Sequence, residues 1–225
     1  MLVILLWSSS AFAQKPHKIL VKEDYKLYPD ETLYQDTSLV NFLYRLQKAV
    51  DERDAKYFFS ILDKGIHFKF DKQLVGIGNF GKEWNKGNDA LVWNITARLL
   101  EMGGTYTIYD STNKQFKGVV LPYVFAAEMP NKNIHRKQVL AVTGESVLIR
   151  EKPDANAKVT GVLAYDVVLK TSPQNAEASE WILIETVDEK LRGYVNFRYL
   201  YSPLDYRIFI NKINGKWKIM TITKG

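Results

Sequence analysis

The stretch that decides the fold is residues 202–225, SPLDYRIFINKINGKWKIMTITKG. Asn214-Gly215 suits a tight two-residue hairpin turn, in which both central residues take positive φ. Folding the chain back at that pair sets Lys212 opposite Trp217, Ile210 opposite Ile219, Ile208 opposite Thr221 and Tyr206 opposite Thr223. One face of the hairpin is then strongly apolar. On the other face Phe209 meets Met220 and Arg207 meets Ile222, so the end far from the turn is apolar on both sides. A lone two-stranded ribbon is marginally stable in water, so this one requires a larger sheet. The strands that end in GYVNFRYLY (193–201) already complete a small unit, while the N-terminal half is rich in helices and poor in strands. The expected fold is α+β: N-terminal helices with an antiparallel sheet over residues 36–134, completed by a hairpin over 204–225, and an all-β barrel over 136–203 inserted between them.

The N-terminal half supplies the helices. Leu39, Phe42, Leu43, Leu46 and Val50 recur at helical spacing behind a cap at Thr37-Ser38. Asp54 is placed to cap a second, short helix bearing Tyr57, Phe58, Ile61 and Leu62, which Gly65 should end. IHFKFD (66–71) alternates as a half-buried strand. GIGNFGKEW (76–84) reads as turns, because its glycines lack the lysine spacing of a phosphate loop. Leu91, Val92, Ile95, Leu99 and Met102 define a further helix that Gly103-Gly104 stop. TYTIYD (105–110) and VVLPYVFAA (119–127) read as strands, with Pro122 confined to an edge or bulge.

Residues 1–13, MLVILLWSSSAFA, have the apolar run and the small residues Ala11 and Ala13 of a secretion signal, although no basic residue precedes Leu2. The run is far below the roughly 20 apolar residues of a membrane anchor. The mature chain is therefore expected to begin near Gln14, to lie outside the cytoplasm, in the periplasm or beyond, and to carry no integral membrane segment. Residues 14–35 are polar with interspersed tyrosines and are expected to form a loosely docked arm. The roughly 210 residues after the signal can bury one large or two ordinary cores.

With no cysteine, the chain can form neither disulfides nor thiolate metal sites. The net charge of +6 comes from scattered lysines. Without a base-reading motif or a dense arginine patch, nucleic acid is not an expected partner. Anionic wall polymers or phospholipid headgroups would suit this charge.

The middle of the chain has a resemblance. Val147, Arg150, Pro153, Val159, Gly161, Trp181, Gly193, Tyr194 and Val195 fall in the order of a bacterial-type SH3 domain, over about a third of the chain, with Leu148-Ile149 departing mildly from the pattern. Arg53-Asp54, Gly103-Gly104, the run Pro122–Phe125 and the terminal Asn214–Ile219 are similar to a group of secreted bacterial SH3-containing proteins without an established activity. The helix pair with its closing Gly-Lys-Trp hairpin also resembles, more loosely, the nuclear-transport-factor-2-like cone, an analogy of fold alone. The SH3 resemblance implies a wall- or protein-binding module. The expected partner is accordingly peptidoglycan or an envelope protein, met by Tyr165, Trp181, Tyr194, Phe197, Tyr199 and Arg150. Aromatic rings offer rigid area to sugar faces and peptides at low entropic cost.

Catalysis finds little support. The three histidines, His17, His67 and His135, have no metal-ligand spacing, and no serine lies in a nucleophile elbow. Asp54, Asp63, Asp71 and Glu83 are the carboxylates that a glycosidase pair could draw on. An envelope enzyme with a site around His67, Asp71 and Trp84 is the alternative. No cofactor and no metal are expected, and no catalytic residue is assigned.

Overall fold

The computed structural model describes residues 25–70, 72–110, 115–127, 134–171 and 180–225. The signal segment 1–13, most of the arm and Asp71 lie outside the described residues. The architecture is α+β, with helices on one face of a mixed six-stranded sheet and a second, antiparallel sheet of seven strands.

Helix α1, Thr37–Glu52, buries Leu39, Phe42, Leu46, Ala49 and Val50. Its cap is Asp36 rather than Thr37-Ser38: Asp36 Oδ1 accepts from the backbone N–H of Ser38 at 2.8 Å and of Leu39 at 3.1 Å. The Ser38 hydroxyl, which donates to the same oxygen at 2.7 Å, holds the Asp36 carboxyl below its ordinary pKa, with the two N–H bonds adding to the effect. Asp54 caps α2, Ala55–Ile61, through the N–H of Tyr57 at 2.9 Å. Gly65 does not end α2. It lies inside strand β1, Leu62–Lys69, where Leu62, Ile66 and Phe68 point into the core. Strand β2, Gln73–Val75, pairs with β1 at the sheet edge.

The glycine-rich run 76–84 forms a helix, α3, Ile77–Glu83, instead of turns. Gly76, at φ 93°, starts it, and Phe80 anchors it as a fully buried ring. A π-helical turn, Trp84–Asn88, leads into α4, Asp89–Met102, which buries Val92, Trp93, Ile95, Thr96 and Leu99. Leu91 and Met102, expected on that face, are not among its buried residues. Gly103 at φ 72° caps α4, and strands β3, Thr105–Asp110, and β4, Gln115–Leu121, follow. After Leu121 comes a short 3₁₀ turn, Tyr123–Ala126, so the strand expected through Pro122 stops there.

The second sheet contains β5 (Val139–Val142), β6 (Val147–Arg150), β7 (Val159–Leu163), β8 (Val167–Lys170), β9 (Trp181–Thr186), β10 (Arg192–Asn196) and β11 (Leu200–Tyr201). Its order is β11-β5-β8-β9-β10-β6-β7, and among the described residues no ladder joins β11 to β7. The sheet stays open, so the expected barrel does not form. Gly161 and Gly193 have no positive φ. At Gly193 the constraint is space: a Cβ there would lie 2.6 Å from Ile149 Cγ2 and 2.7 Å from the Arg150 carbonyl.

The hairpin joins the first sheet. β12, Arg207–Ile213, and β13, Lys216–Thr223, take the two central places in the order β2-β1-β13-β12-β4-β3. Phe209 pairs with Val120 on β4, and Ile222 pairs in parallel with Phe68 on β1. Asn214 and Gly215 both have positive φ, as the turn requires. Pairing follows the expected register from the turn to Ile210–Ile219 and then shifts: Met220 bulges out, Phe209 faces Thr221 and Ile208 faces Ile222. The extra residue turns Ile222 inward beside Ile208, Ile210 and Ile219, all four fully buried. Each contributes about 1.5–3 kcal/mol relative to an exposed side chain.

The two sheets share apolar contacts. Val139 and Ala141 of β5, Val167 and Tyr201 pack in the same cluster as the helices and the first sheet. Leu140 and Val142 belong to a second cluster with Val147, Ile149, Leu163, Val168, Ile184, Val195 and Leu200. All four residues of β5 are buried, so that strand is a wall between two cores. Part of the expected loose arm is firmly placed: Leu27 is fully buried, its N–H donates to the Tyr165 carbonyl at 2.8 Å, and Lys26 pairs with Asp166 at 2.8 Å.

Candidate functional site

Alternation along β1, β12 and β13 sends one set of side chains toward the helices and the other to the opposite face. Ile66, Ile208, Ile210, Ile219 and Ile222 go inward. Asp63, His67, Phe209, Asn211 and Thr221 go outward and line a pocket of about 900 Å³. Thr105, Tyr106 and Thr107 of β3 close one side, and Phe125 and Ala126 of the 3₁₀ turn close another. Phe125 meets Phe209 edge-on at 5.4 Å. The Met220 bulge also places the methionine in the lining. The Arg207 guanidinium lies 5.5 Å and that of Arg136 6.0 Å from the Phe125 ring centre. Burial, with the like charge of Arg136, lowers the pKa of Arg207. Gly118 leaves room for Asn211: a Cβ there would collide with Asn211 Oδ1.

This pocket has the components of a recognition site: an apolar floor with a few polar groups spaced around it. Asp63 is the sole carboxylate among the described lining residues, and it already accepts from the N–H of Gly65 at 2.8 Å. A two-carboxylate hydrolysis needs a partner at about 5–9 Å, and the lining offers none. Two of the other expected carboxylates, Asp54 and Glu83, have structural work. Asp54 caps α2, and Glu83 is held ionised below its ordinary pKa by Lys86 at 2.8 Å.

Of the constellation expected around His67, Asp71 and Trp84, the two described residues lie apart. His67 lines the outer pocket, whereas Trp84 packs on the helical side, with ring centres 5.0 Å from Trp93 and 5.1 Å from Phe59. Asp71 lies outside the described residues. Among the described residues no group of three or more His, Asp or Glu side chains could hold a metal ion. No described helix is long and apolar enough to cross a membrane.

The six binding candidates of the second sheet separate. Arg150, Trp181 and Tyr199 line one concavity of about 450 Å³ with Glu145, Glu180 and Arg198. Arg150 also donates from Nη1 to the Ala157 carbonyl at 2.7 Å. Tyr199 and Phe197 are both exposed, but Phe197 is not part of that lining. Tyr194 is half-buried beside Arg150 and stands outside it. Tyr165 serves the arm, its ring 5.3 Å from that of Tyr28. The residues that sequence reasoning missed are Phe209, Asn211 and Phe125. The two-sided apolarity of the hairpin pointed to the first, but nothing local pointed to the others.

No protein-family model matches the chain, and no curated protein matches it. Among solved structures, one match is a designed NTF2 protein, 9% identical, over 85% of this chain and 99% of the other, at a TM-score of 0.29. Another is an NTF2-like protein of unknown function from Pseudomonas putida, 8% identical, over 84% of each chain, also at 0.29. Both are of the NTF2-like kind and neither is an SH3 protein, but the score is too low for either to carry an argument. Nothing in these comparisons supports a signal peptide or secretion. The resemblance to bacterial SH3 domains does not hold: no family model recognises the residues that carried it, and among the described residues the sheet they form is not closed.

Proposed function

We propose that the chain is a binding protein without chemistry of its own, and that its ligand sits in the pocket on the outer face of the six-stranded sheet. The observation behind this reading is the lining itself. About 900 Å³ falls within the roughly 300–1,000 Å³ of small-molecule sites. Phe125, Phe209 and Met220 offer apolar contact, and Asn211, Thr107, Thr221 and His67 offer hydrogen bonds. A molecule with an apolar body and a few polar substituents fits that arrangement.

The test uses the neutral dye N-phenyl-1-naphthylamine, which fluoresces in apolar surroundings. The native chain should give a saturable signal, and Phe209→Ser and Met220→Glu should each abolish it. An absent signal, or one unchanged in both variants, would refute the reading.

A second reading places peptidoglycan or an envelope protein on the second sheet, favoured by the meeting of Arg150, Trp181 and Tyr199 in one concavity. Full-length protein should then sediment with purified sacculi, and Tyr199→Ala should reduce that retention. Point variants are required because deleting the second sheet would strip Val139 and Ala141 from the shared core.

A further inference from the structure

We propose that the corner where the hairpin tip meets α1 and α2 is a binding site for a phosphate monoester. Three elements converge there on a pocket of about 450 Å³: Ser38, Phe42 and Arg45 from α1, Tyr57 and Ser60 from α2, and Lys216, Trp217 and Lys218 from β13. The corner is built rather than incidental. Ser38 Oγ accepts from Trp217 Nε1 at 3.0 Å and from Lys212 Nζ at 2.8 Å. Lys218 Nζ donates to the Ser60 carbonyl, the Arg45 guanidinium lies 4.9 Å from the Tyr57 ring centre, and Lys212 Nζ lies 5.3 Å from that of Trp217.

Three cationic side chains, Arg45, Lys216 and Lys218, line this pocket, and a fourth, Lys212, reaches its edge through Ser38. Among the described residues none of Arg45, Lys212, Lys216 and Lys218 is in an ion pair, and no carboxylate lines the pocket. The nearby Asp36 responds to the charge of Lys212, but its Oδ1 is engaged by two N–H groups and the Ser38 hydroxyl at the helix cap. Cations closer than a Debye length of about 8–10 Å repel one another, and an anion among them relieves that repulsion. A monoester supplies about −1.5 to −2 charges at neutral pH and three acceptor oxygens, matching the forked donor of Arg45 and the ammonium groups beside it. Trp217, Tyr57 and Phe42 would meet the organic part of such a ligand. A soluble phosphate and the headgroup of a phosphatidic acid share this chemistry.

The experiment has two arms. Phenyl phosphate is titrated into the full chain by calorimetry, and co-sedimentation is measured with phosphatidylcholine vesicles with and without phosphatidic acid. Binding is expected in at least one arm and should weaken about tenfold or more in Arg45→Gln/Lys218→Gln. Lys216→Glu, which changes an exposed side chain beside the turn, should weaken it likewise and gives the reading if the double variant does not fold. Lys152→Gln/Lys158→Gln, removing two exposed charges from the turn between β6 and β7, should bind as the native chain does. Binding of phenyl phosphate assigns a soluble monoester, and binding to phosphatidic acid vesicles alone assigns the headgroup. No saturable binding in either arm, or equal weakening in the control, would overturn the site.

Discussion

Tyr123 is fully buried, and its hydroxyl has no hydrogen-bond partner among the described residues. Tyr201 is also buried, but its hydroxyl donates to the Tyr206 carbonyl at 2.8 Å. The contrast makes a prediction. Tyr123→Phe removes an unsatisfied polar group and should stabilise the protein by about 1 kcal/mol, whereas Tyr201→Phe should cost about 1 kcal/mol, both read from urea midpoints. Burial raises both phenols above their ordinary pKa. Below about pH 10 both states keep these protons. Above it the unfolded chain loses them first, so stability falls as pH rises toward the folded values. The double Phe variant should show a flatter alkaline decline, and an unchanged slope would assign the decline to other groups. At this scale the sequence was readable where a residue acts on its near neighbours. Asp54 caps α2 as its position suggests. Asp36, rather than Thr37-Ser38, caps α1, because a carboxylate one residue earlier reaches the same N–H groups.

The hairpin shows what a period of two can and cannot say about an element. Turn chemistry and apolar alternation gave the turn and the first pairs, but an extra residue in one strand leaves no mark in a pattern of alternation. In the regular register Thr221 would face Ile208 in the core and Ile222 would face outward. In the bulged register the two exchange places. Ile222→Ala should therefore cost about 2–5 kcal/mol, while Thr221→Ala should stay within about 0.5 kcal/mol, both by thermal or urea unfolding. The reverse ranking would restore the regular pairing. Helix α3 was illegible for a different reason: three glycines in the nine residues 76–84 argue for turns, and only the burial of Phe80 among Phe58, Phe59, Phe68 and Trp84 overrides that propensity.

For the whole molecule, the α+β class and the placing of the last strands followed from one question, what the hairpin packs against. The barrel did not follow. Short strands and turn residues at close spacing are common to open and closed sheets, and closure depends on whether β11 and β7 meet, which no local pattern encodes. Nor could spacing show that β5 serves two cores. With Val139 and Ala141 on one side and Leu140 and Val142 on the other, neither sheet unfolds without exposing the other. Tryptophan fluorescence and far-ultraviolet circular dichroism should therefore follow coincident urea transitions. Two separated transitions would mean that the second sheet is an independent unit.

The place of β12 and β13 has a consequence for biosynthesis. In chain order they come last, yet they occupy the middle of their sheet. On a translating ribosome, β1 with β2 and β3 with β4 emerge as two separate ribbons, and each alone is marginal. The helices meanwhile have no complete surface to dock on, while every strand of the second sheet has already been made. A nascent chain that stalls before residue 207 therefore holds its N-terminal half as an unfinished body until the hairpin of β12 and β13 slots in.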